Sequence, residues 1–253
     1  MSTPTNADLI NEWRTANPFA HLTGDTLKNI LSTDTLTHLD LRDADLSNST
    51  LSYEDLTGTD LRYADLTNTD LDFTTLSHAN LTEACLEGAY LRNANASHIT
   101  AHSANISYTY LTNTTLTHAD LSHSTFYQSR MTRTNLHHTN LHDTDLRATT
   151  QHSANLKHTD LSNADLSGAN MTRTNLQNTN MTHTTMINTV IFDTDFRGAN
   201  LTGTNAAHTN LDYALTDNTT QGLPTTADQD THTALTNPPP TINTATTTGP
   251  DLT

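Results

Sequence analysis

The sequence is poor in the residue types that mark several common protein classes. It contains a single cysteine, Cys85, which excludes a disulfide framework or a CxxC metal site within one chain. Its only lysines are Lys28 and Lys157, and without clustered basic side chains we expect no direct binding to nucleic acid. No apolar run reaches the roughly 18 residues of a membrane span, so we expect no membrane contact. The N-terminal segment lacks the basic start and apolar stretch of a signal peptide, which predicts a cytoplasmic location.

Apolar side chains are also scarce. They make up 33% of the 253 residues, which is too few for an ordinary compact globule of this length. The net charge is −16, yet charged residues are only 15% of the chain, and a disordered acidic chain is usually more highly charged. The composition therefore leaves two alternatives, disorder or a thin fold with a narrow core.

A five-residue repeat decides between them. Every fifth residue from Leu31 to Leu211 lies in one phase, which gives 37 positions, and Gln151 is the only polar residue among them. We call this position i. Position i−2 is small, mostly Ala or Thr, and position i−1 is mostly Asp, Asn or Thr. Positions i+1 and i+2 are variable and polar, so the pattern predicts that i and i−2 point inward and the others outward.

A period of five matches neither regular secondary structure. An α-helix would spread these side chains around its circumference, and a strand would send alternate ones to solvent. The chain must therefore turn once in every repeat. A threonine hydroxyl at i−2 then needs a buried acceptor, and the amide of Gln151 is expected to be a weak point unless it bonds to backbone.

The repeat resembles the A(D/N)Lxx signature of the pentapeptide-repeat family. The segments ADLSN, ADLTN, ANLTE, ADLSG and TNLQN are close matches to it. The resemblance implies an all-β fold, a right-handed quadrilateral parallel β-helix with four pentapeptides per coil and about nine coils. It also implies a comparison with the quinolone-resistance members, which mimic duplex DNA and occupy the DNA-binding surface of gyrase or topoisomerase IV.

The flanks of the repeat differ from it in composition. We expect residues 1–30 to form a helical capping segment, residues 31–213 the β-helix, and residues 214–253 a flexible tail rich in Thr and Pro. Short helices are predicted at residues 8–15 and 24–32, with Asp25 as a cap of the second. Leu22, Leu27, Ile30 and Leu31 are expected to cover the first coil. A C-terminal dimerisation helix like that of the quinolone-resistance members is not evident, so monomer and dimer both stay open.

One outward column is rich in histidine. Four repeats per coil would stack every fourth i+2 position, and five successive members of one such column are His78, His98, His118, His138 and His158. This ladder is a candidate transition-metal site, with a solvated stack of rings as the alternative. Because like charges repel when protonated, we expect lowered pKa values along it.

The acidic residues are concentrated near the N-terminal end. Residues 31–110 contain 12 acidic side chains and three arginines, whereas residues 111–213 contain eight acidic and six basic ones. The predicted partner-binding residues are Asp40, Asp45, Asp55, Asp60, Asp65 and Asp70, together with the aromatics Tyr53, Tyr63 and Phe73. This composition fits either an ordinary solvated surface or a patch that binds a basic protein surface.

The sequence shows no constellation of nucleophile, base and acid, so we predict a non-enzymatic protein with no catalytic residues and no cofactor. The most specific hypothesis is a partial DNA mimic that binds a type II topoisomerase. The mimicry is partial because about 43 Å of duplex carries about 25 charges, against 20 acidic and nine basic side chains in the repeat. The alternative is a structural or interaction scaffold with an unrelated partner. Ice binding is a weaker idea, since Asp72, Arg92 and His152 interrupt the Ser/Thr column.

Overall fold

The computed structural model describes residues 3–18 and 20–224. Its repeat region is a β-helix in which four successive repeats form each coil. Single-residue parallel bridges join every fifth residue to the equivalent residue of the next coil, from Asp40↔Asp60 onward. The last bridge, Asn200↔Gln221, ends a stack of about nine coils. Four bridge columns per coil give four sides, and in the described part of the repeat each strand is only one bridge residue long.

Each repeat contains one tight turn. In most repeats the N–H of residue i+3 donates to the carbonyl of residue i, as from Ala44 to Leu41 at 3.3 Å. Position i+2 has a positive φ in every repeat from His38 to His208, for example 65° at Tyr53 and 61° at His78. This left-handed conformation is easy for glycine and costs other residues energy. The chain therefore turns a corner of the coil at each i+2 residue, and the side chain of that residue points to solvent.

The preference for Asp and Asn at i−1 has a local cause. The side-chain oxygen at i−1 accepts a hydrogen bond from the backbone N–H at i+1, as Asp45 does from Ser47 at 3.0 Å. Asn80 accepts in the same way from Thr82, also at 3.0 Å. Because the acceptor is an oxygen in both cases, Asp and Asn are interchangeable in this turn, and only the charge differs.

The core is a stack of the i and i−2 side chains. All i positions from Leu36 to Ala206 are buried, as predicted. The expected acceptor for the threonines at i−2 is a carbonyl one coil away: Thr134 Oγ1 donates to the Leu111 carbonyl at 2.7 Å. The same contact, with a sequence separation of 23, recurs along the rod. These hydroxyls add side-chain hydrogen bonds to the backbone bonds between coils.

The side chain of Gln151 is buried among methionine and leucine side chains. Its Nε2 donates to Thr149 Oγ1 at 3.0 Å, and its Oε1 has no partner among the described residues. The amide thus bonds to a side chain rather than to backbone, and half of it is unsatisfied. The condition for a weak point is therefore met, and its effect on stability stays a prediction.

Two helices close the N-terminal end of the solenoid. Helix α1 spans Asn6–Ala16 and helix α2 spans Gly24–Leu31. Ile10, Leu22 and Leu27 are fully buried against the first coil, and Ile30 and Leu31 pack beside them. The predicted cover by Leu22, Leu27, Ile30 and Leu31 is therefore confirmed, and Ile10 adds to it.

Two details of this end differ from the expectations, and a third was not predicted. Thr23, rather than Asp25, is the N-cap of α2, since its hydroxyl accepts from the Thr26 N–H at 3.2 Å. Leu31 ends that helix, and the buried register begins at Leu36. Thr23 also forms a parallel bridge with Thr50, so the cap continues the sheet of one side.

The C-terminal end continues past residue 213. A 3-10 helix spans Leu211–Tyr213, after which Leu215 bridges to Asp195 and Gln221 bridges to Asn200. Paired backbone thus reaches residue 221. The boundaries at residues 31 and 213 stay a prediction, and residues 225–253 of the predicted tail lie outside the described residues.

Candidate functional site

The predicted partner-binding acids lie on different sides of the rod. Residues that bridge between coils share a side, so Asp40 and Asp60 share one and Asp45 and Asp65 share the next. Asp70 belongs to the third side, with Thr50, and Asp55 to the fourth, with Thr75. The six carboxylates therefore surround the N-terminal coils and do not form one flat patch.

Two of these carboxylates are neutralised locally. Arg42 donates from Nε and Nη2 to the two oxygens of Asp40, at 2.8 and 2.6 Å. Arg62 holds Asp60 in the same two-pronged arrangement, at 2.8 and 2.6 Å. These hydrogen bonds lower the pKa of both carboxyls. The side of the rod that carries Asp40 and Asp60 thus presents paired rather than free charge.

The other four acids keep their charge available. Asp45, Asp55, Asp65 and Asp70 each accept a backbone N–H within their own turn, at 2.9–3.0 Å. None of the four forms an ion pair with another described residue. Free negative charge is therefore present on three of the four sides of the first coils.

The three predicted aromatics occupy corners of the coil, at position i+2. Tyr53 and Phe73 stack with ring centroids 4.9 Å apart and planes within 2°. They are 76% and 48% exposed, so the pair presents an apolar surface between the Asp70 and Asp55 sides. Tyr63 is half a coil away from each of them and lies on the opposite corner. The structure therefore joins two of the three.

A second aromatic pair was not predicted. Tyr90 and Tyr110 stack at 4.8 Å in the bridge column that begins with Thr50 and Asp70. The Arg92 guanidinium lies 5.4 Å from the Tyr90 ring, in a cation–π arrangement. The signal was present in the sequence as two tyrosines one coil apart at i−1, a position otherwise assigned to Asp, Asn or Thr.

The histidine ladder forms a continuous stack. Neighbouring rings from His78 to His158 have centroids 4.9–5.1 Å apart and planes within 15° of parallel. Burial, with the adjacent rings of His137, His158 and His118, lowers the pKa of His138. Since imidazole lone pairs lie in the ring plane, those of parallel stacked rings run side by side. The metal site on this ladder stays a prediction.

Comparison with known proteins gives the family. The pentapeptide-repeat family matches this chain in eight copies, over residues 40–77, 60–95, 79–117, 109–147, 152–189 and 192–214. The chain is a pentapeptide-repeat protein. Members of this family form right-handed β-helical solenoids and are generally structural or interaction proteins. A comparison with curated proteins finds no significant match.

Several solved structures of the family are similar to this chain. HetL from the cyanobacterium Nostoc sp. strain PCC 7120, involved in heterocyst differentiation regulation, is 21% identical over 84% of this chain and 95% of its own, with a TM-score of 0.27. QnrB1, a plasmid-mediated fluoroquinolone resistance protein, is 15% identical over 73% of this chain and 92% of its own, with a TM-score of 0.35. Rfr23 from the cyanobacterium Cyanothece 51142 is 34% identical over 42% of this chain and 63% of its own, with a TM-score of 0.27.

The described helices are not suited to crossing a membrane. Neither α1 nor α2, nor any other helix within residues 3–18 and 20–224, has the length and apolar character needed to cross a membrane.

Proposed function

We propose that this pentapeptide-repeat protein is a non-enzymatic rod whose N-terminal coils bind a basic protein surface. The most specific form of the proposal is a partial DNA mimic that binds DNA gyrase or topoisomerase IV, with inhibition or quinolone resistance as the consequence. The observation that supports it is the free charge of Asp45, Asp55, Asp65 and Asp70 on three sides of the rod.

The distribution of charge matters more than its total. A duplex presents negative charge around its whole circumference, so a protein that grips DNA contacts phosphates on more than one side. A rod with free carboxylates on three sides offers the same arrangement to a basic saddle. The Asp40 and Asp60 side, neutralised by arginines, is the exception, and it limits the mimicry to part of the circumference.

Substitutions that remove the negative charge but keep the side-chain acceptor can test the proposal without disturbing the turns. Asn serves the same acceptor role as Asp at i−1, as Asn80 and Asn95 show in this chain. The triple variant Asp55→Asn, Asp65→Asn, Asp70→Asn therefore removes three charges and keeps the turn hydrogen bonds. The matched control is Asp120→Asn, Asp160→Asn, Asp165→Asn, at the same turn position in later coils.

The assay is gyrase supercoiling with the full chain, measured at several salt concentrations. We expect inhibition that weakens with salt. We expect the N-terminal triple variant to need roughly tenfold more protein for the same inhibition, at about 0.5 kcal/mol per exposed charge. The control triple should behave like the unsubstituted chain. Absence of inhibition and of quinolone protection at every salt concentration would refute the topoisomerase proposal.

A scaffold for a different protein is the second candidate. The stacked, exposed Tyr53–Phe73 pair favours it, because solvent-facing aromatics are typical of protein interfaces and are not needed to imitate a phosphate backbone. Affinity capture with the intact chain and with the variant Tyr53→Ser, Phe73→Ser separates the two. A partner other than a topoisomerase that is lost with this variant would support the scaffold.

A further inference from the structure

A second histidine cluster lies outside the ladder, on the corner that also carries Tyr63. His123 and Asp143 both occupy position i+2, in successive coils, and His142 precedes Asp143 at i+1. Asp143 Oδ2 is 2.8 Å from His142 Nε2 and 3.7 Å from His123 Nδ1. One ligand atom from each of the three side chains lies within 4.8 Å of the others, and all three are partly exposed.

The scaffold fixes the spacing of these side chains. The His123 N–H donates to the His142 carbonyl at 2.9 Å, and the Asp143 N–H donates to the Ser162 carbonyl at 3.0 Å. His123 and Asp143 share the left-handed corner conformation, with φ of 58° and 56°. Because these backbone positions belong to the coil ladder, the side chains approach one another without any rearrangement of the chain.

The ring of His142 is oriented by a hydrogen-bond relay. Ser162 Oγ donates its one proton to Asp160 Oδ1 at 2.7 Å, so it must accept the proton of His142 Nδ1 at 2.8 Å. This leaves Nε2 of His142 as the nitrogen that faces Asp143. A carboxylate or hydroxyl behind one ring nitrogen is the usual outer partner of a histidine that binds metal through the other.

The separations within the cluster fit a small coordination shell. Nε2 of His142 faces a carboxylate oxygen of Asp143 that is 2.8 Å away, so a ligand nitrogen and a ligand oxygen lie side by side. Ligands held at about 2.0–2.1 Å in a tetrahedral site lie about 3.3 Å apart, and the separations of 2.8 and 3.7 Å lie on either side of that value.

We propose that His123, His142 and Asp143 bind a divalent first-row transition ion, with Zn²⁺ as the representative. Two imidazoles and one carboxylate suit this class of ion, and water completes the shell because the corner is open to solvent. His102 lies beside the cluster, with its ring centroid 5.0 Å from that of His123. A matching relay from Ser122 and Asp120 orients it.

This site differs in geometry from the stacked ladder. The His102 and His123 rings, and the His123 and His142 rings, meet edge to face at 76° and 83°. Nitrogens of rings that are inclined to one another can point at a common centre, whereas those of parallel stacked rings run side by side. The proposal therefore rests on ring nitrogens that can point at one centre. A column of parallel histidine rings does not provide this arrangement.

The test is a Zn²⁺ titration of the chelator-treated full chain, followed by calorimetry and by imidazole ¹H–¹⁵N NMR. We expect one saturable equivalent, with the His123 and His142 ring nitrogens shifting first. Asp143→Asn and His142→Gln should each weaken binding at least tenfold. Ser162→Ala should weaken it by roughly 10- to 100-fold through loss of the outer partner.

Ser167→Ala is the matched control for the relay. Ser167 Oγ donates to Asp165 Oδ1 at 2.6 Å in an equivalent turn, and no histidine bonds to it in the described structure. Its Zn²⁺ affinity should be unchanged, and circular dichroism should show that all variants keep the fold. If the ladder histidines shift first, or if the Asp143 and His142 variants bind Zn²⁺ as tightly as the parent chain, the proposal is wrong.

Discussion

The replacement of Gln151 by methionine is expected to stabilise the protein. The Gln151 side chain is 0% exposed, and its Oε1 has no hydrogen-bond partner in the part of the chain that the structure describes. Met131 and Met171 occupy the same column one coil before and one coil after, and both are fully buried. A methionine side chain of similar length therefore fits the available space.

The size of the expected stabilisation follows from the hydrogen bonds that Gln151→Met changes. An unsatisfied buried acceptor costs about 1–3 kcal/mol, and a neutral hydrogen bond is worth about 1 kcal/mol. The variant removes the orphan Oε1 and also the bond from Nε2 to Thr149. Thr149 keeps its own donation to the Leu146 carbonyl at 2.7 Å, so no new orphan forms. We expect the free energy of unfolding to rise by about 1–2 kcal/mol.

Urea denaturation followed by far-ultraviolet circular dichroism measures this change. A higher midpoint at an unchanged slope is the expected result. Met131→Gln is the matched control, since it places an amide in the same column and should lower the stability. A midpoint for Gln151→Met at or below that of the parent chain would show that the amide is satisfied, and would refute this reasoning.

Three further predictions concern the turns, the hydroxyl ladder and pH. Ala148 has a φ of 56° at an exposed corner, a conformation that is strained for alanine. Ala148→Gly should therefore raise the free energy of unfolding by about 1 kcal/mol in a urea titration. A loss of stability would contradict the idea that the backbone at Ala148 is strained. Thr134→Val should lower it by about 1 kcal/mol in the same titration, because the buried hydroxyl bond to the Leu111 carbonyl is lost; an unchanged midpoint would show that this bond contributes nothing. Hydrogen bonds from Arg197 lower the pKa of Asp195 to about 2. The stability from this lowered pKa is present above about pH 4 and is lost as the pH falls toward 2, so Asp195→Asn should flatten that part of the stability profile; an unaltered profile would contradict it.

The flanks show where a sequence pattern is ambiguous. Leu31 fits the period of five, yet it ends α2, because one apolar residue at the right spacing also fits an amphipathic helix. Leu215 breaks the side-chain register, yet its backbone pairs with Asp195 while its side chain stays half exposed. Backbone pairing does not depend on side-chain identity, so the pattern of leucines could not reveal this last coil.

The candidate sites show a similar division. The stacked histidines and the Tyr53–Phe73 pair follow directly from a spacing of one coil, and the geometry agrees with that expectation. The cluster of His123, His142 and Asp143 does not, because its members combine spacings of 1, 19 and 20 across two positions of the repeat. Which i+1 and i+2 side chains face each other depends on the corner geometry and on the relay through Ser162.

The sequence by itself determined the inward register, since a leucine at every fifth position can be buried only if the chain turns once per repeat. It also determined that the side chains at i+2 reach solvent. Only the tertiary structure decided that the N-terminal acids surround the rod, that arginines neutralise Asp40 and Asp60, and that three side chains converge at one corner. The physical reason is that the core contacts repeat in every coil, whereas each surface contact joins particular side chains from neighbouring coils.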